Sequence, residues 1–72
     1  MATYTGVPGI EKLTPLELDD LILRTGLYIQ SLSLYLDTLK AIGQNRMATV
    51  IQIYIDGALR RLTAFEAYRQ TL

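Results

Sequence analysis

The sequence predicts an all-α fold: an antiparallel helical hairpin of two long helices, about residues 15–43 and 46–70, behind an irregular N-terminal arm over residues 1–13. Three observations predict it. A complete helix-start signal stands in "LTPLEL", apolar residues then recur at helical spacing, and a short "GQN" break divides two such runs. Connections that short belong to antiparallel neighbours, so residues 14–72 read as one helical-hairpin domain.

The arm, "MATYTGVPGIEKL", opposes helix formation through Thr3, Thr5 and Gly6, and Pro8-Gly9 is a turn signal. Tyr4, Val7, Ile10 and Leu13 give it apolar points. Two outcomes stay open: the arm docks on the helices through these points, or it trails as a tail.

Helix one opens on a capping box. Thr14 is the N-cap, Pro15 occupies the first helical position where its missing N–H costs nothing, and Glu17 lies three residues after the cap. Leu13 and Leu18 stand where a hydrophobic staple forms, and Asp19 and Asp20 complement the positive end of the helix dipole. At the other end Lys40 lies in the last turn, Gly43 suits the left-handed C′ position, and Asn45 can cap the next helix. Gly26 lies within this span and does not end it. Leu18, Ile22, Thr25, Ile29, Leu32, Leu36 and Leu39 continue one stripe across it, and Asp20 and Arg24 are a favourable i,i+4 pair leading into it. The glycine is either a relaxed bending point or a place where another backbone approaches closely.

Helix two contains "TVIQIYI", which in isolation resembles a strand. The wider pattern overrides it. Met47, Val50, Ile51, Tyr54, Ala58, Leu62, Phe65 and Leu72 share a helical face, Asp56 and Arg60 form a second i,i+4 pair, and "ALRRLTAFEAYRQ" is rich in helix formers.

Helix one carries more apolar surface than one partner helix covers. Leu18, Leu21, Ile22, Tyr28, Ile29, Leu32, Tyr35, Leu36 and Leu39 make a broad side. Leu16, Leu23, Leu27, Leu34 and Ala41 fall nearly opposite, at about 100° per residue. On helix two, Ile53 and Leu59 are the main apolar residues off the packed face. Soluble monomers seldom expose a strip of this kind, so Leu16, Leu23, Leu27, Leu34, Ile53 and Leu59 are the candidate contacts for self-association or a protein partner. Tyr28, Tyr35, Tyr54 and Tyr68 suit the rims of helix interfaces.

The chain has no histidine and no cysteine, which removes the common general base, the thiol nucleophile and the usual transition-metal ligands. Glu17, Asp19 and Asp20 are explained by helix-start charge, not by a metal. No enzymatic role, cofactor or metal is expected.

Seven acids balance seven bases, but unevenly: Glu11, Glu17, Asp19, Asp20 and Asp37 stand in the first half, and Lys40, Arg46, Arg60, Arg61 and Arg69 in the second. Opposite halves attract within a hairpin or between subunits. Arg60, Arg61 and Arg69 are the candidate charged contacts, yet around the helix they form no single stripe, so nucleic acid is not the expected partner.

The longest uncharged run, Thr25 to Leu36, is shorter than the roughly 20 residues of a membrane span, and no secretory signal pattern opens the chain. The expectation is a cytoplasmic, non-enzymatic interaction module: an adaptor, regulator or assembly subunit that is a homodimer or higher oligomer, two hairpins pairing into a four-helix bundle. A dimeric nucleic-acid-binding regulator using Arg46, Arg60, Arg61 and Arg69 is the alternative.

Overall fold

A computed structural model describes residues 9–72. It contains a short 3-10 turn, Ile10–Lys12, then helix α1, Pro15–Ala41, and helix α2, Asn45–Gln70. The two helices pack along each other as a hairpin, and no strand occurs among the described residues. Gly26 leaves α1 unbroken, and the "TVIQIYI" segment is helical within α2. The expected arm contacts of Tyr4 and Val7, and the Pro8 half of the turn signal, lie outside the described residues.

The start of α1 forms as its sequence dictates. Thr14 N–H donates to Glu17 Oε1 at 2.9 Å, and Glu17 N–H donates to Thr14 Oγ1 at 3.2 Å. Two otherwise orphaned backbone donors are thereby satisfied. The far end closes in a Schellman turn, with Gly43 at φ 77°. Gln44 N–H donates to the Leu39 carbonyl (2.9 Å) and Gly43 N–H to the Lys40 carbonyl (3.2 Å).

That turn corrects one expectation. Asn45 does not cap α2; it is already the first helical residue, and Gln44 is the N-cap without a side-chain bond. The Schellman bond draws Gln44 back onto α1, and α2 begins at once. Helix α1 likewise stops at Ala41, two residues before the expected limit, because Ile42 and Gly43 belong to the turn.

The core has two centres. Near the turn, Leu36 and Leu39 of α1 meet Ala48, Ile51 and Ile55 of α2, with Ile29 and Leu32 packed against them. At the open end, Ile10, Leu18 and Phe65 form a second cluster, joined by Leu13, Leu21, Ile22 and Tyr68. Ile10 is 1% exposed and Leu18 fully buried, so the Ile10–Lys12 turn is docked. Tyr68 Oη donates to the Glu11 carbonyl at 3.5 Å across this contact.

The packed face of α2 differs from the expected one. Ala48 and Ile55 are buried, whereas Met47, Val50, Tyr54 and Leu72 are exposed. The centre of the face is rotated away from the larger side chains. Of the two expected i,i+4 pairs, Asp20 and Arg24 meet at 2.9 Å, while Asp56 instead accepts a hydrogen bond from the Gln52 amide at 3.0 Å.

The hairpin is long for its size: 44 Å along its major axis, with a radius of gyration of 14.5 Å. A compact domain of this length has a radius of about 11 Å. Two helices side by side are a single layer, whereas a soluble domain normally closes its core between two.

Candidate interaction surfaces

The packed side of α1 faces α2 through Leu18, Ile22, Ile29, Leu32, Leu36 and Leu39. Leu16, Leu23, Leu27 and Leu34 lie nearly half a revolution away, so they point outward from the hairpin. They are 79%, 61%, 54% and 66% exposed, respectively, and Ala41 is exposed beside them. The hairpin cannot cover this ridge, since α2 sits against the opposite side of the same helix.

Ile53 and Leu59 do not join the ridge. Ile53, 63% exposed, lies on the outward side of α2, at the far edge of the molecule. Leu59 shares an edge of α2 with Gln52, Thr63 and Glu66, all exposed. The six expected contact residues are thus one continuous line of four plus two separate points.

Between the ridge and the helix interface runs an open apolar depression lined by Ile22, Leu23, Gly26, Leu27, Leu62 and Glu66. A methyl group at Gly26 would meet nothing within 4 Å. No close approach inside the hairpin therefore requires this glycine.

The charged residues disperse. Arg69 Nε pairs with Asp19 Oδ1 at 2.9 Å, linking the two helices, so Arg69 is engaged within the chain. Arg60 is exposed on the outward side of α2 near Ile53, and Arg61 is exposed on a different side. The acidic trio is also employed locally: Glu17 in the capping box, Asp19 with Arg69, Asp20 with Arg24. The Thr14 backbone N–H, and then the Thr14 hydroxyl, hold the Glu17 carboxyl below its ordinary value of 4.5. Among the described residues no group of acidic side chains is arranged to hold a metal ion.

One surface escaped the sequence reading. On α1, Leu21, Tyr28, Tyr35 and Ile42 recur every seventh residue; on α2, Met47, Tyr54, Arg61 and Tyr68 do the same. Both rows flank the helix interface on the same side of the hairpin, the side on which Tyr68 meets Glu11 of the Ile10–Lys12 turn and Leu21 packs against the cluster containing Ile10. The turn covers only the open end. Beyond it Tyr28, Tyr35, Met47, Val50 and Tyr54 remain between 40% and 54% exposed, and Ile42 64%. The opposite side, with Asp19, Ser33, Lys40, Gln52 and Glu66, is polar. The seven-residue recurrence is present in the sequence, but the expectation of tyrosines at the rims of helix interfaces does not place both rows on one side.

No helix among the described residues is long and apolar enough to cross a membrane. Comparison of the chain with protein-family models, with curated proteins and with solved structures found no match.

Proposed function

We propose that this chain is a non-enzymatic protein–protein interaction module, a small cytoplasmic adaptor, regulator or assembly subunit, that self-associates so that its helices acquire a second layer. A homodimer with a four-helix core is the simplest such assembly, because closed two-fold symmetry is the commonest solution among soluble oligomers. The observation that carries the reading is a single-layer hairpin with apolar side chains in solvent on two of its surfaces, the leucine ridge and the tyrosine side. Covering either surface contributes about 25 cal/mol per Å² of apolar area removed from water.

Nucleic-acid binding finds no support in the arrangement of the bases. Arg69 is paired with Asp19, and Arg60 and Arg61 face different ways. Strong phosphate binding needs several cations aimed at one backbone.

Multi-angle light scattering across micromolar to submillimolar concentration tests the proposal. A mass of two or more chains is expected at the upper end. A monomer throughout would overturn it.

A further inference from the structure

We infer that the tyrosine side, not the leucine ridge, is the homodimer face, and that its occupant is the same side of a second copy of this chain laid antiparallel. The inference rests on the self-association proposed above and specifies its surface.

Geometry separates the two surfaces. A partner on the ridge would stack helix upon helix in a row, because the ridge points directly away from α2. Such a row leaves Tyr28, Tyr35, Met47, Val50 and Tyr54 beside the α1–α2 seam as exposed as before. The tyrosine side flanks that seam along both helices, so a hairpin placed there contacts both at once, bringing four helices together, and covers the exposed Tyr28, Tyr35, Met47, Val50 and Tyr54 with the half-buried Leu32 beneath them. This is the missing second layer.

Continuity points the same way. The Ile10–Lys12 turn already begins that layer at the open end, with Ile10 seated against Leu18 and Phe65 and almost wholly buried. The uncovered surface continues directly from it towards Gly43. Its composition is also that of an interface core: Tyr28, Tyr35, Met47 and Tyr54 with Ile42 and Val50, and Arg61 the charged member of its rows. Aromatic residues, methionine and arginine are enriched at such places, whereas other charges are depleted.

The same turn fixes the orientation. Two parallel hairpins would bring both turns together between the layers. In an antiparallel pair each free stretch meets the other, and each turn abuts the partner's Gly43 end. The free stretch, from Tyr28 along α1 to the turn at Gly43, spans about 24 Å, and a helix pair is about 20 Å wide. Each copy thus contributes roughly 500 Å² in projection, and side-chain relief raises the accessible area above that. The total lies at the lower end of specific interfaces. The expected dimer is therefore one that dissociates on dilution.

Light scattering on wild type, Tyr35→Glu/Tyr54→Glu and Leu23→Asp/Leu27→Asp distinguishes the surfaces, with far-ultraviolet circular dichroism as the folding control. A dimeric wild type, a folded monomeric tyrosine variant and a dimeric leucine variant are expected. A tyrosine variant that stays dimeric, or a leucine variant that alone becomes monomeric, overturns the assigned face while leaving self-association standing. A monomeric wild type overturns both. Should the tyrosine variant lose its helicity, nitration of the wild type by tetranitromethane decides. Tyr35 and Tyr54 are expected to be modified several-fold more slowly at high protein concentration than at low, and equal rates in a dimeric sample would overturn the assignment.

Discussion

Arg69 Nε stands 2.9 Å from Asp19 Oδ1, tying the last turn of α2 to the beginning of α1 on the side of the hairpin opposite the docked 3-10 turn. Both side chains keep much of their surface in water, 39% for Arg69 and 54% for Asp19. The pair is therefore discounted to about 0.2–1 kcal/mol. A double-mutant cycle with Asp19→Asn and Arg69→Gln, read by urea denaturation, is expected to return a coupling in that range that shrinks on adding salt. A coupling insensitive to salt would contradict a solvent-screened pair.

Ile10 has the opposite character. It is 1% exposed and buried against Leu18 and Phe65. Ile10→Ala should cost about 2–5 kcal/mol, a large share of the stability of so small a domain. Leu16→Ala, at a residue 79% exposed, is the control and should stay within about 0.5 kcal/mol of wild type. Equal effects from the two substitutions would mean that the turn does not hold its docked position.

Glu17 gives the hairpin an acid-sensitive start. Its carboxyl is held below 4.5 in the folded chain by the Thr14 hydrogen bonds, so the folded state favours the charged form. A depressed folded value means that stabilisation is complete above the unfolded value and is lost as pH falls through the folded one. Glu17→Gln keeps an acceptor for the Thr14 N–H but removes the titration. The melting-temperature gap between wild type and Glu17→Gln should be constant near neutrality and narrow as the pH drops below about 4.5. A gap that widens on acidification would refute this assignment.

Two glycines should respond oppositely to alanine. Gly43 sits at φ 77°, where a side chain meets its own backbone, and Gly43→Ala should destabilise by about 1–2 kcal/mol. Gly26 is helical, and an added methyl group meets nothing within 4 Å. Gly26→Ala should therefore stabilise the hairpin by about 0.4–1 kcal/mol through the lost freedom of the unfolded chain. Thermal melting of both variants checks the pair of signs.

The hairpin was legible where local chemistry dictates geometry. Thr14, Pro15 and Glu17 satisfy the first turn of α1 with no help from elsewhere in the chain, and Gly43 closes it for a reason intrinsic to glycine. The ridge was legible too, because four leucines on one side of an otherwise continuous stripe have only one phase. The packed face of α2 was not. Apolar residues occur around much of that helix, and pattern reading favoured the large Met47, Val50 and Tyr54 over the small Ala48, which fits where the helices approach. Asn45 as a cap failed because the reversal consumes fewer residues than expected. The tyrosine side needed the relative rotation of both helices, which neither helix alone contains.

The docked Ile10–Lys12 turn also reverses the usual gradient of fraying. Helix ends ordinarily open first, and their amide protons exchange with solvent soonest. Here the closing turns of α2 are fastened on one side by Tyr68 to the Glu11 carbonyl and on the other by Arg69 to Asp19, with Phe65 buried on Ile10. Amides between Phe65 and Arg69 can exchange only after contacts more than forty residues away in sequence are released. Their exchange clock is thus set by the beginning of the chain, and a ligand or protease acting on the N-terminal arm would be felt as loosening at the C-terminal helix end.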